Sequence, residues 1–291
     1  MFQLNNYIKA NSVSEAIEML KADADARLIA GGTDVLIRLR EGKKEFGRLV
    51  DIHDLGELKQ LTIQNDGTLI IGSGVTFSMA MASELIQKNI PILAEASSTV
   101  GGPQVRNVAT IGGNVCNGVT SADSASSLFA LNAILNLEGP DGNRQVPIAD
   151  FYLGPGKVDL KHGEILTAFI IAPQNYQNCY GVYYKYAMRN AMDIATIGCA
   201  AICRVENNHL AELRLSYGVA GPVPIRCFQT ETMVNGKIIS DQLIRDIGDS
   251  VINDVNPRTS WRASKEFRLQ IISELARRVV RNAIEKAGGK F

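Results

Sequence analysis

Between Thr99 and Asp123 the chain reads TVGGPQVRNVATIGGNVCNGVTSAD, where two glycine pairs, three asparagines and many small residues leave the backbone nearly bare. Such a segment folds where the main chain must turn sharply or let something large approach it. A second bare segment, Ala30-Gly31-Gly32-Thr33-Asp34, follows Arg27-Leu28-Ile29, which reads as a short strand, and precedes Val35 to Arg40, which reads as a helix. A strand, glycine turn and helix start offers free N–H groups and the positive end of a helix dipole to an anion. Thr110-Ile111-Gly112-Gly113-Asn114 repeats that logic, with Thr110 and Asn114 able to add side-chain hydrogen bonds. Two such loops could hold one diphosphate from two sides. A single glycine pair marks no more than a tight turn. Neither loop matches the GxGxxG fingerprint or the GxxxxGK[ST] loop, so Rossmann and Walker sites are without support.

At 291 residues the chain has room for two or three compact units of ~100–150 residues each, with a large core and no need of staples. Thirty basic and thirty acidic residues give a formal net charge of zero without like-charge blocks, which disfavours nucleic-acid and membrane-surface binding. The start at Met1-Phe2-Gln3-Leu4 lacks the basic and apolar regions of a signal peptide, and no apolar run approaches the ~18 residues of a membrane span, so a cytoplasmic protein is expected. The five cysteines are scattered without a CxxC pair, against a disulfide framework, a structural zinc or an iron–sulfur cluster within this chain. Cys199 and Cys203, in the apolar run 197–203, read as small core residues.

Ser12 or Ser14 can cap a helix through Lys21, and a strand at Leu49 to Ile52 completes a βαβ-like opening, residues 1–60. From Leu61 the texture changes: Leu61-Thr62-Ile63, the turn Asn65-Asp66-Gly67 and Leu69 to Gly72 predict a hairpin. This second unit, residues 61–175, is expected to hold helices at 91–98 and after Asp123, a strand at 134–137, a turn at 139–142 and a last strand at 165–171. The polar run Gln174 to Asn178 marks a boundary. Beyond it, in residues 179–291, come strands at 182–188, 196–205 and 210–219 and helices at 241–252 and 264–287, an α+β arrangement. Trp261, the only tryptophan, reads as a core or interface anchor. His53, His162 and His209 stand too far apart in the chain to suggest a metal site or a catalytic triad.

AGGTD at 30–34, ATIGGN at 109–114, SAD at 121–123, KYAMRNAMDIA at 185–195 and RASKEFR at 262–268 together resemble the flavoprotein component of molybdenum hydroxylases, over nearly the whole chain. NVCNGVTSADSA and RNAMDIATIGCAA are more narrowly similar to the separate-chain FAD-binding (medium) subunits of bacterial xanthine dehydrogenases. The resemblance implies an α+β protein: a two-part FAD-binding domain like that of vanillyl-alcohol-oxidase-type flavoproteins, then a C-terminal α+β domain like that of the CO dehydrogenase flavoprotein. It implies that Arg27, Leu28, Ile29, Ala30, Gly31, Gly32, Thr33 and Asp34, with Ala109, Thr110, Ile111, Gly112, Gly113 and Asn114, wrap the FAD diphosphate and neighbouring groups. Asp123, Leu166 and Lys185 match an acidic, an apolar and a basic contact. From the residues alone, Asp123 could equally be a helix N-cap and Lys185 an exposed lysine shielding a strand edge. Arg106 and Arg189 are further cations that could serve an anion.

The flavin would do the redox chemistry, which suits a sequence rich in binding loops and without a catalytic constellation of its own. Further implications are partner chains, a molybdopterin-binding large subunit and a 2Fe-2S small subunit in a higher-order hetero-oligomer, with NAD as electron acceptor. The competing readings are a flavoprotein subunit serving another substrate (nicotinate, CO or another aromatic), a non-catalytic assembly protein, and a self-contained flavin oxidase or reductase. An aromatic-thioester reductase of the 4-hydroxybenzoyl-CoA type is disfavoured, because the cysteine-rich loop of that version is missing here.

Overall fold

The structure, a computed structural model, describes residues 4–291. The reading of Met1-Phe2-Gln3 lies outside them. The chain opens with β1 (Asn6–Lys9), α1 (Val13–Ala22), β2 (Arg27–Ile29), α2 (Val35–Arg40) and β3 (Arg48–Asp51). The strands form a parallel sheet in the order β1-β3-β2. Ser12, of the two candidate caps, accepts from the Glu15 N–H and starts α1, whose Val13, Ala16, Ile17 and Leu20 are buried. Sequence pattern misses β1 because all four of its residues are exposed.

The hairpin of β4 (Leu61–Ile63) and β5 (Leu69–Gly72) opens a second sheet, as expected. Six helices follow: α3 (Phe77–Ala82), α4 (Glu84–Asn89), α5 (Pro91–Ser98), α6 (Pro103–Val108), α7 (Ile111–Cys116) and α8 (Asp123–Ala130). Then come β6 (Ile134–Gly139), β7 (Gly142–Pro147), α9 (Ile148–Phe151), the small hairpin β8 (Tyr152–Gly154) and β9 (Lys157–Val158), and β10 (Ile165–Ile171). The antiparallel order β4-β5-β10-β6-β7 puts the last strand at the centre, which is why β10 reads as a nearly continuous apolar run. Ile165 at its start packs into the core of the first sheet with Val50, Ile52 and Leu58, joining the two units.

A third, antiparallel sheet runs β11 (Tyr180–Tyr186), β12 (Ile197–Glu206), β13 (His209–Gly218) and β14 (Ile225–Arg226), followed by α10 (Phe228–Val234), α11 (Asp241–Ser250) and α12 (Lys265–Lys286). Strand β12 is covered on both faces. Ile197, Cys199, Ala201 and Cys203 point to the α11 and α12 side, while Ala200 and Ile202 join the core of the second unit. Both cysteines are thus core residues, as read. The other cover of this sheet is α8, buried at every position, whose Ser124, Ala125, Ser126 and Ser127 are small enough for close approach.

Two expectations need correction, and a set of short helices goes unread in the sequence. The single helix expected over 241–252 ends at Ser250 and tightens into a 3-10 turn at Val251–Asn253. The short helices α3, α4, α6, α7 and α10 give too few turns for a helical period to be recognised. Trp261 is not a core anchor: it is 79% exposed, with the Arg262 guanidinium 4.2 Å above its ring.

Candidate functional site

A cleft of about 860 Å³ opens between the first two units, and the loop Met192–Ile194 of the third contributes to its wall. One side is built from 26–28 and 30–35, the other from 109–110 and 112–114, with 160–166 across the end. Of the expected residues, Arg27, Leu28, Ala30 to Asp34, Ala109, Thr110, Gly112 to Asn114, Asp123 and Leu166 line it. Ile29, Ile111 and Lys185 do not. Ile29 is spent in strand pairing opposite Asp51, and Ile111 is fully buried in the core.

Gly31 is bare because the two loops touch: a methyl group there would overlap the carbonyl oxygen of Val108. Gly32 follows with φ +72°, a backbone conformation that glycine adopts without strain. Among the described residues, the N–H groups of Gly31, Gly32, Thr33 and Asp34 donate to no protein acceptor. Helix α2 is short and its first residues add only a partial dipole, so the donors themselves are the main feature of this loop.

The second loop differs from expectation. Ile111 N donates to Val75 O at 2.9 Å, Gly112 N to Ser73 O at 2.8 Å, and Asn114 N to Thr110 O at 3.0 Å. Thr110 Oγ1 caps α7 by accepting from Gly113 N at 3.0 Å, and Asn114 Oδ1 accepts from Ser124 Oγ at 2.7 Å. These donors are therefore engaged within the protein. Gly112 is glycine because a Cβ would come 2.6 Å from that of Ser73. What the loop presents to the cleft is a smooth wall.

Asp123 is not the N-cap of α8, since Ala122 holds that position. Its Oδ2 accepts from Lys185 Nζ at 2.8 Å and its Oδ1 from Tyr183 Oη at 2.9 Å. Burial pushes the Asp123 carboxyl up, opposed by the Lys185 ammonium and the hydrogen bonds from Lys185 and Tyr183. Burial likewise pushes the Tyr183 hydroxyl well up. Lys185 is no exposed edge residue: it is buried and donates also to Thr99 O at 3.0 Å. Arg106 and Arg189 do not line the cleft. Arg106 donates to Val100 O at 3.0 Å, and Arg189 to Met192 O at 2.7 Å while pairing with Asp193 at 3.5 Å.

Sequence reading misses Arg38, Phe46 and the Leu160–Glu164 lip, all of which line the cleft. Arg144 holds the lip, with its Nε 2.7 Å from Glu164 Oε1 and Nη1 2.7 Å from Asp159 Oδ2. Its hydrogen bonds keep both carboxyls below the usual range. Arg38 donates to Asn117 Oδ1 at 2.6 Å and lies 5.2 Å over the Phe46 ring.

Residues 1–174 match the family model of the FAD binding domain in molybdopterin dehydrogenase, and residues 182–283 that of the CO dehydrogenase flavoprotein C-terminal domain. Over all 291 residues, and all of the relative, the chain is 48% identical to the xanthine dehydrogenase FAD-binding subunit of Escherichia coli O157:H7. It is 29% identical to the carbon monoxide dehydrogenase medium chain of Hydrogenophaga pseudoflava, over 95% of this chain and 96% of that one. A solved chain of the Hydrogenophaga pseudoflava carbon monoxide dehydrogenase superposes with a TM-score of 0.92 at 26% identity, covering 99% of each chain. A chain of quinoline 2-oxidoreductase from Pseudomonas putida 86 gives the same TM-score, identity and coverage.

Proposed function

The chain belongs to the FAD-binding subunits of the xanthine dehydrogenase-like molybdenum hydroxylases, and from that membership we propose that it holds FAD between partner iron–sulfur clusters and NAD. The isoalloxazine, when bound, would supply the redox chemistry, one-electron acceptance and hydride donation. Everything else is binding and orientation by this chain.

The observation that carries the reading is the cleft itself, in which the unpaired N–H groups of Gly31 to Asp34 face the same space as the side-chain-free wall of Gly112 and Gly113. Donors without acceptors beside a bare wall fit a diphosphate, and about 860 Å³ is at the upper end of the ~300–1,000 Å³ range of small-molecule sites. Leu28 and Leu166 supply apolar walls. Each Asp123 oxygen accepts one protein hydrogen bond and keeps a lone pair for a cofactor hydroxyl. Lys185 acts through Asp123, as a positioning residue. The proposed division of labour places FAD on residues 1–60 and 61–175 and leaves 179–291 to cover the cleft.

The partners follow from the family: a molybdopterin-binding large subunit and a 2Fe-2S small subunit, assembled in the cytoplasm into a higher-order hetero-oligomer. Among the described residues no group of His, Cys, Asp and Glu is placed to hold a metal, and no helix is long and apolar enough to cross a membrane. A purine such as xanthine is the substrate favoured by the 48% full-length identity, against 29% to the glyceraldehyde dehydrogenase medium chain of Sulfolobus acidocaldarius. Anaerobic addition of NADH to the flavin-loaded chain tests the acceptor. Bleaching of the flavin band supports NAD. A yellow protein indifferent to NADH would assign the electrons to another acceptor.

A further inference from the structure

Three cations line the cleft, and they are not equivalent. Arg27 commits one guanidinium nitrogen to the carbonyls of Ala24 and Ala26, at 3.0 and 2.8 Å. Lys161 is exposed on the lip. Arg38, one turn beyond the Gly31–Asp34 loop on α2, is half-buried and held from two sides, by the Phe46 ring and by Asn117 Oδ1. The cleft carboxylates of Asp123, Glu164 and Asp193 are taken by Lys185, Arg144 and Arg189. Asp34 is exposed and forms no ion pair with Arg38. Among the described residues Arg38 is thus a preorganised cation with no carboxylate partner, standing beside the neutral peptide donors of the Gly31–Asp34 loop.

Resting on the FAD reading above, we infer that Arg38 is the countercharge of the FAD diphosphate, pre-set by Asn117 and Phe46. A guanidinium keeps several donors after one is given to Asn117, and its planar fork suits two phosphate oxygens at once. Peptide N–H groups can fix where the diphosphate sits, but they leave its charge uncompensated. Arg38 offsets one of the diphosphate's two negative charges. The cost of ordering a long side chain has already been met in the free protein by the ring stack and the amide. Arg38 also crosses from the first unit to the second, so a plain inter-unit tie is the competing role, and the test must separate the two.

The full chain, stripped of flavin, is titrated with FAD by flavin fluorescence at low and at moderate salt, and apo-protein unfolding is recorded in parallel. Arg38→Gln removes the charge and, being two bonds shorter, the Asn117 contact with it. The expected result is FAD affinity lowered about 10- to 100-fold, a flatter dependence on salt, and an apo stability lowered by no more than one lost hydrogen bond accounts for. Arg38→Lys restores the salt dependence and part of the affinity. Asn117→Asp, which leaves Arg38 in place but neutralises it with a carboxylate, shows the same loss and serves should Arg38→Gln fail to fold. Affinity within about threefold of the parent overturns the inference, and so does a loss of affinity with the parent's salt dependence, which would identify a tie. Failure of the parent chain itself to bind FAD would instead strike the reading on which the inference rests.

Discussion

Lys185 Nζ lies 2.8 Å from Asp123 Oδ2, and both side chains are less than a tenth exposed, so the wall of the cleft is fastened to the C-terminal sheet by a buried ion pair. Tyr183, on the same strand, takes the other carboxylate oxygen. Breaking such a pair from one side strands a charge in low dielectric. Asp123→Asn should destabilise the chain by about 3–5 kcal/mol in chemical denaturation, whereas the double change Asp123→Leu with Lys185→Met recovers most of that loss. The double variant should still lose FAD affinity, because the acceptor proposed for a cofactor hydroxyl is gone.

Gly31→Ala and Gly56→Ala make a matched pair. Both glycines lack positive φ, but a methyl at Gly31 meets the Val108 carbonyl while one at Gly56 meets nothing within 4 Å. Gly31→Ala should force the two loops apart and abolish flavin retention on gel filtration. Gly56→Ala should keep the flavin and the melting temperature of the parent.

Thr110→Val separates cap from contact. The Thr110 hydroxyl is engaged by Gly113 N at the start of α7, so its loss should lower apo stability by about 1 kcal/mol, read by thermal unfolding. A fall in FAD affinity with no change in apo stability would show instead that the hydroxyl serves the ligand.

The lip of the cleft should be acid-sensitive. Arg144 holds Glu164 and Asp159 below their ordinary values, and a carboxyl depressed in the folded state adds stability above its unfolded value that is lost as pH falls through the folded one. Arg144→Gln should therefore cost about 1–2 kcal/mol at pH 7, and the gap to the parent should close as the pH drops below about 4. A gap independent of pH would mean that Arg144 acts by packing alone.

The apolar central strands are the most legible part of the chain, since β10 and β12 are covered on both faces and their apolar runs announce it, whereas the exposed or short strands β1, β7, β8, β9 and β14 carry no such run. The first glycine loop was legible for the same local reason, a strand and a helix meeting across bare backbone. The second was misread in one respect. Its Gly112 answers to Ser73, on the turn after β5, and nothing in the local pattern says that its N–H groups are already engaged. Lys185 reads as a surface lysine in a tyrosine-rich strand because the carboxylate that buries it stands on α8, far away in the chain. Arg38 gives no local sign either: Phe46 is a near neighbour in the chain, but Asn117, which fixes the guanidinium, meets it only across the cleft from the second unit. Patterning thus exposes elements and bare loops, while the partners of charged groups depend on tertiary contact.

The most direct measurement is the absorbance spectrum of the purified full chain before and after incubation with FAD and gel filtration. An oxidised-flavin band that stays with the protein, and is lost in Gly31→Ala but kept in Gly56→Ala, is the expected result. A colourless protein that releases all added FAD would contradict the assignment of the cleft to this cofactor.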